Sequence, residues 1–261
     1  MSGKKRKVVV VGAGSGIGAA VAAHFHENGD HVLAVDIKPN ETPASDHRQC
    51  DLRDPASINT LLGQLGSGWD MLAHVAGVPG TAPAADVLKV NYLGMRLMTE
   101  GMLPLLHPGG SIVAVASTAA LGWGQRVDVL TELLELTDGE AVEKWQADQD
   151  PNYPVYSTSK QAVILYSKRV AGTAWTKYGV RINTVSPGPV ETPILPDFEQ
   201  TMGKDVLDMC RATVGRHASV HDIVPVISFL GSPGARWITG QDIQVDGGFI
   251  SAMAAGAPIE L

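Results

Sequence analysis

Short runs of apolar, largely β-branched residues alternate along the chain with longer stretches whose apolar positions recur every three or four residues. Residues 7–11, 31–35, 71–75, 111–116, 181–186 and 242–245 read as strands. They are nearly continuous in apolar residues rather than alternating, as strands buried on both faces are. Residues 17–28, 57–65, 92–106 and 157–178 read as helices. Strand, helix, strand in repetition predicts an α/β fold: a doubly wound parallel sheet with helices on both faces. The 29 Gly and 16 Pro fall between the apolar runs and form no linker, so one domain is expected over 1–261.

One segment breaks the rhythm. Residues 122–152 carry eight acidic side chains (Asp128, Glu132, Glu135, Asp138, Glu140, Glu143, Asp148, Asp150) against Arg126 and Lys144, so they hold −6 of a total net charge of −7. Val127, Leu130, Leu134, Val142 and Trp145 recur at helical spacing, which predicts two short amphipathic helices broken at Asp138 and Gly139. The segment reads as an insertion, either a lid over a substrate or an element that alters self-assembly.

The net acidity argues against a nucleic-acid partner, and no run of about 18 apolar residues is present to span a bilayer. Cys50 and Cys210 form neither a disulfide framework nor a metal site, and His24, His26 and His217 lack metal spacing, so no metal is expected and a cytoplasmic location is. Lys4, Lys5, Arg6 and Lys7 ahead of an apolar run mimic a signal peptide or a nuclear-import cluster. Cleavage there would remove the glycine turn described next, so the cluster is read as a solvated approach to the first strand.

Val8 to Val11 pass into Gly12, Ala13, Gly14, Ser15, Gly16, Ile17 and Gly18, so a buried strand turns through glycines into a helix. Glycines let backbone approach a pyrophosphate, and the free N–H groups and dipole at the helix start attract the anion. Asp36 closes the second strand, with Ile37 after it, 18 residues beyond Gly18. A dinucleotide fold places there the carboxylate that binds the adenosine ribose. A 2′-phosphate would meet like charge, so NAD is expected over NADP, with Lys38 the one nearby residue to soften the repulsion.

Tyr156 and Lys160 stand four apart at the start of the fourth helix, on one face, where a neighbouring ammonium favours phenolate. An ordinary tyrosine, with a pKa of about 10, is a poor base near neutrality. Lys160 and an oxidised nicotinamide would have to lower that value. Ser117 ends one strand and Asn91 opens a helix. Singly they read as a turn hydroxyl and a helix cap. Together they gather at the carboxyl ends of the strands, where such sheets bind ligands.

Taken in order, these motifs resemble the short-chain dehydrogenase/reductase family, a single-domain Rossmann fold, over nearly the whole chain. Gly12, Gly16 and Gly18 match its glycine pattern, Asp51 and Leu52 its adenine-side pair, and Ala76 and Gly77 part of its Asn-Asn-Ala-Gly motif. Asn91, Ser117, Tyr156 and Lys160 match its catalytic tetrad; Pro187, Gly188, Val190 and Thr192 match the loop that holds the nicotinamide carboxamide; and Asp246, Gly247 and Gly248 match its C-terminal strand ending. Residues 76–80, the surroundings of Asn91, the insertion and residues 187–195 resemble the subgroup acting on coniferyl-type alcohols and 3α-hydroxysteroids. Val11 replaces the family's usual Thr, His74 and Val75 replace its Asn-Asn, and 39 residues lead from Ser117 to Tyr156, more than the family norm.

The resemblance implies a small-molecule alcohol or ketone substrate and a homodimer or homotetramer, with the Tyr156 helix a common dimer surface. It implies that Tyr156 takes the alcohol proton, Ser117 bonds the substrate oxygen, Lys160 holds the ribose and Asn91 anchors a relay water. Trp123, Trp145, Leu195, Phe198 and Met202 are expected to wall a hydrophobic substrate. The rivals are an NAD-binding sensor without turnover, an enoyl-type or epimerising relative, and a methyltransferase. The intact tetrad and the Tyr156 to Lys160 spacing weigh against all of these.

Overall fold

A computed structural model describes residues 5–256. Lys4 of the basic cluster lies outside them. Seven parallel strands form one sheet: β1 (Lys7–Val11), β2 (His31–Asp36), β3 (Asp46–Gln49), β4 (Trp69–His74), β5 (Leu106–Val115), β6 (Arg181–Pro187) and β7 (Asp242–Val245). Their order is β3-β2-β1-β4-β5-β6-β7. Chain order therefore reverses between β1 and β4, and a crevice opens at the carboxyl ends of those two strands. Val8 to Val11 are fully or almost fully buried, because both faces of β1 are covered.

The helices are α1 (Gly16–Glu27), α2 (Pro55–Gln64), α3 (Ala84–Leu88), α4 (Met95–Met102), α5 (Val127–Glu135), α6 (Gly139–Ala147), α7 (Val155–Tyr178), α8 (Leu195–Met202), α9 (Lys204–Val214), α10 (Val220–Leu230) and α11 (Phe249–Ala255). One core joins α1 and α10 to one face of the sheet through Val21, Phe25, Ile223 and Ile227. On the other face, Ile58, Leu61, Met98 and Ala174 bring α2, α4 and α7 onto Leu33, Leu72 and Ile182.

Two sequence expectations need correction. The strand Asp46–Gln49 was not expected: it is fully exposed and polar, an edge strand held by backbone pairing to β2 rather than by burial. The helix expected at 92–106 begins instead in a wide π-helical turn, Lys89–Gly94, and gives way to β5 at Leu106. Wide turns of this kind often mark functional positions, and this one carries Asn91.

The acidic segment folds as α5 and α6, with the Asp138 carboxylate accepting from Ala141 N at 2.8 Å to start the second. Leu130, Leu133 and Val142 pack with Leu88, Tyr92 and Met95 and with Ala162, Val163 and Tyr166 of α7. Arg96 donates to the carbonyls of Leu134 and Leu136, both at 2.8 Å, closing the end of α5. Arg169 Nη2 reaches Thr131 Oγ1 at 2.6 Å, and Lys89 pairs with Glu143. All eight acidic side chains stay exposed.

Candidate active site

At the switch point the glycine turn leaves β1 with Gly12 at φ +87°, where a Cβ would fall 2.5 Å from the Ala76 backbone. Gly12 N and Ala13 N both donate to Val35 O, at 2.8 and 3.1 Å, which ties the turn to the end of β2. Ser15 precedes α1 without a side-chain cap bond. Amides of the first helical turn are thus available to an anion. Asp36 accepts from Gly14 N at 2.8 Å and from Lys38 N at 3.3 Å. A Cβ on Gly14 would stand 2.9 Å from the Asp36 carboxyl, so Gly14 makes room for that carboxylate.

Arg53 lines the cleft beside Asp51 and Leu52, and it is already engaged. It pairs with Asp51 at 2.7 Å and with Asp86 at 3.4 Å. Its guanidinium, hydrogen-bonded to Asp51, holds that carboxyl below the usual carboxylate range. Across the crevice, Thr192 approaches the glycine turn: its methyl lies 3.3 Å from where a Cβ on Gly16 would stand. Gly188 N donates to Val245 O at 3.1 Å, anchoring the loop after β6.

The chemical end is built on α7. Lys160 is almost fully buried, and its Nζ donates to Val115 O at 2.9 Å while standing 5.8 Å from the centre of the Tyr156 ring. Burial alone pushes the lysine down to about 8. Ser117 beside the phenol lowers the Tyr156 pKa, but desolvation is the larger effect and leaves the phenol at about 12. The expectation that Lys160 lowers the Tyr156 pKa is therefore not met in the protein alone. The ammonium is turned to a backbone carbonyl and does not meet the phenol oxygen.

Asn91 is 1 % exposed and lies behind the cleft instead of lining it. Its amide bridges Val78 in both directions, accepting from N at 2.8 Å and donating to O at 3.1 Å. It also donates to Ser159 Oγ at 3.0 Å, and that hydroxyl donates to Tyr156 O at 2.7 Å. Asn91 thus ties the 77–78 loop to the first turn of α7.

The other three tetrad residues, and every residue expected to touch cofactor, line a single cleft of ≈ 400 Å³. Ala82 and Asp86 also line it without any signal in the sequence, as do Val78, Val90, Pro193 and Ile194, which the sequence marked only as parts of matching stretches. Of the expected apolar wall only Phe198 is there, its ring 5.0 Å from that of Tyr156 at 59°. Leu195 and Met202 lie outside the lining, and no residue of 122–152 reaches it. Trp145 is held by Glu132 within the insertion, at 3.2 Å, and Trp123 borders a separate hollow with Asp242. The insertion packs on helices, and where it comes near the site it does so through the hollow that Gly122 to Gln125 share with Ser117.

Sequence reasoning treated His74 as a lost scaffold bond. The structure buries it fully with Nε2 unpartnered, and burial and the Lys160 charge push it to about 3. A histidine inside an otherwise apolar strand was the available signal. Among the described residues no cluster of three or more His, Cys, Asp or Glu side chains is placed to hold a metal ion, and no helix is long and apolar enough to cross a membrane.

A glycine turn facing a Ser, Tyr and Lys group across the switch point of a parallel sheet is the arrangement of a nucleotide-dependent oxidoreductase. Family comparisons agree. A model described as short chain dehydrogenase matches residues 6–127, and one described as Enoyl-(Acyl carrier protein) reductase matches residues 147–250. Coniferyl-alcohol dehydrogenase of Pseudomonas sp. is 36 % identical over 94 % of this chain and 97 % of its own. The 3-alpha-hydroxysteroid dehydrogenase/carbonyl reductase of Comamonas testosteroni is 31 % identical over the same shares. Among solved structures, the 3-alpha-hydroxysteroid dehydrogenase from Pseudomonas sp. B-0831 complexed with NADH superposes with a TM-score of 0.82 at 28 % identity, covering 97 % of this chain and 100 % of that one. The putative NAD(P) dependent gluconate 5-dehydrogenase from Beutenbergia cavernae, with NADP bound at low occupancy, gives 0.73 at 26 %, covering 94 % and 97 %. The chain belongs to the short-chain dehydrogenase/reductase family and is an oxidoreductase of that family.

Proposed function

We propose that this protein is an NAD-dependent dehydrogenase for hydrophobic or aromatic alcohols of the coniferyl-type or hydroxysteroid class, reversible to carbonyl reduction. The observation that carries the reading is the convergence of Ser117, Tyr156 and Lys160 on the cleft that also holds the glycine turn and Asp36. The residues fit a dinucleotide: α1 offers uncapped amides to a pyrophosphate, Asp36 offers a carboxylate to a ribose, and the loop at Pro187–Thr192 faces them. Bound there, the nicotinamide supplies a hydride acceptor and, when oxidised, a positive charge. Ser117 orients the substrate hydroxyl and stabilises charge as it develops on the oxygen. Tyr156, as phenolate, removes the hydroxyl proton. Lys160 holds the ribose end, and Asn91 fixes the loop and helix turn that frame the site.

Asp36 and the engaged Arg53 favour an unphosphorylated ribose. Like-charge contact costs several kcal/mol, so kcat/KM with NAD is expected to exceed that with NADP by at least about 100-fold. Steady-state rates with both cofactors check this, and equal rates would remove the assignment.

Phe198 supports an aromatic or hydrophobic substrate, because its ring stands beside Tyr156 where the alcohol would lie. An aromatic pair contributes about 0.5–1.5 kcal/mol beyond area burial. For Phe198→Ala, KM for aryl alcohols is expected to rise about 3- to 10-fold, with small secondary alcohols little changed. A uniform change across both classes in a KM series would count against the aromatic wall.

Four-residue Tyr156 to Lys160 spacing supports an alcohol over an enoyl substrate. Assembly is proposed as a homodimer or homotetramer pairing through a face other than the side of α7 that α5 covers. Free, buried Cys50 and Cys210 suit the reducing cytoplasm.

A further inference from the structure

We propose that Arg126 is a positioning residue for the reaction, setting the rotation of α7 so that the Tyr156 and Ser117 hydroxyls meet one substrate oxygen. The inference rests on the reading of Tyr156 as the base. Arg126 lies just before α5, at the start of the acidic insertion, and does not reach the cleft. Its Nη1 donates to Thr158 Oγ1 at 3.0 Å and to Gln161 Oε1 at 2.7 Å. Its guanidinium lies 3.7 Å from the centre of the Tyr153 ring, at the other end of the insertion. Arginine has donors only, so the Gln161 amide must turn its oxygen to Arg126. The Gln161 nitrogen is then left to donate to Tyr153 Oη at 2.9 Å and to Leu121 O at 3.2 Å. Gln161 is fully buried and Thr158 nearly so, which makes each of these bonds costly to break.

The network grips α7 from behind. At about 100° per residue, Lys160 sits about 40° from Tyr156 around the helix, whereas Thr158 and Gln161 sit about 200° and 140° away. One side of α7 therefore faces the cleft while the opposite side is held by Arg126. The same Gln161 fixes Leu121, which closes the tight turn begun at Ser117: Ala120 N donates to Ser117 O and Leu121 N to Thr118 O, both at 3.0 Å. One side-chain network thus joins the turn that carries Ser117 to the helix that carries Tyr156. A phenol oxygen lies about 8 Å from the axis of its helix, so a roll of about 10° displaces it by about 1.4 Å. Misplacement of about 1 Å can cost about 100-fold in rate. Rolling α7 in this way leaves the glycine turn and Asp36, on other elements, where they are, and moves Lys160 along with Tyr156.

Three variants of the full chain, R126A, R126K and T158V, test this with saturating NAD and an alcohol that the wild type oxidises. Arg126→Ala is expected to lower kcat about 10- to 100-fold while the NAD dissociation constant rises far less, about 3-fold at most, because the glycine turn and Asp36 stay in place and only the Lys160 end shifts. Arg126→Lys, which keeps a donor but loses the fork and the stacking, should fall between it and the wild type. Thr158→Val, isosteric and lacking one acceptor, should lose about 2- to 5-fold. The acidic limb of kcat against pH, where activity rises as Tyr156 gives up its proton, should move upward in Arg126→Ala, because the Ser117 contact that lowers the Tyr156 pKa is loosened. A kcat that falls only with the folded fraction, measured by melting, or a pH profile that does not move, would overturn the proposal. Failure of the underlying reading looks different: the wild type would oxidise no alcohol. The positioning claim is still decided in that case by the Tyr156 ¹³Cζ shift at neutral pH, assigned against Tyr156→Phe. That shift must change in Arg126→Ala if the Ser117 contact depends on Arg126, and an unchanged shift would refute the dependence.

Discussion

Tyr156→Phe is expected to lower kcat by about 100- to 10,000-fold, the range in which a positioned proton acceptor contributes, while NAD binds as tightly as before. The phenol oxygen is the one atom removed, and the backbone and α7 contacts around it do not depend on it. The influence of Ser117 is insufficient to offset desolvation, so the phenol stands at about 12 in the protein alone. A neutral phenol is a poor base near neutral pH. An oxidised nicotinamide bound in the cleft would supply a positive charge that favours phenolate at Tyr156. Cofactor titration by tryptophan fluorescence, alongside steady-state rates, separates lost chemistry from lost binding. A variant that keeps more than a tenth of wild-type kcat would remove Tyr156 from the role of base.

Lys160→Met is expected to abolish turnover to a similar degree and, at neutral pH, to stabilise the fold. Lys160 is 3 % exposed with Val115 O as its acceptor, and burial pushes its pKa from 10.5 down to about 8. The folded chain therefore binds the lysine proton less well than the unfolded chain does. The resulting penalty is complete below about 8 and fades as the pH rises from about 8 to 10.5. Methionine has similar length and no charge to bury, so the variant should gain up to about 3 kcal/mol at pH 7. The gain should vanish above pH 10.5, where the wild-type lysine is neutral in both states. Denaturant unfolding at pH 7 and pH 10.5 measures this directly. A variant less stable than wild type at pH 7 would mean that Lys160 is held by more than a single carbonyl.

Strands buried on both faces announced themselves as unbroken apolar runs, and the Asp138–Gly139 break between α5 and α6 was legible as a loss of helical spacing. β3 was not, since an exposed edge strand is set by its neighbour's backbone and its side chains carry no pattern. The cleft residues were readable where chemistry restricts the residue type, as at Gly12, Asp36 and Tyr156. Val78, Ala82 and Ile194 line the same cleft with side chains that any core position would accept. Lys160 was legible as a partner of Tyr156 by spacing alone, but spacing does not say where an ammonium points, and in the fold it turns to Val115 O. The insertion was visible by its charge. Its place on α7 and α3 was not, because that depends on which apolar stripes meet in three dimensions.

Nicotinamide absorbance during turnover, with NAD and a panel of aryl alcohols, hydroxysteroids and small secondary alcohols, is the most direct measurement. Reduction of the cofactor is expected with the aryl or steroid alcohols, lost in Tyr156→Phe and weaker with NADP. Tight NAD binding without any absorbance change, on every alcohol and in reverse on the matching ketones, would contradict a dehydrogenase and leave a nucleotide-binding protein without turnover.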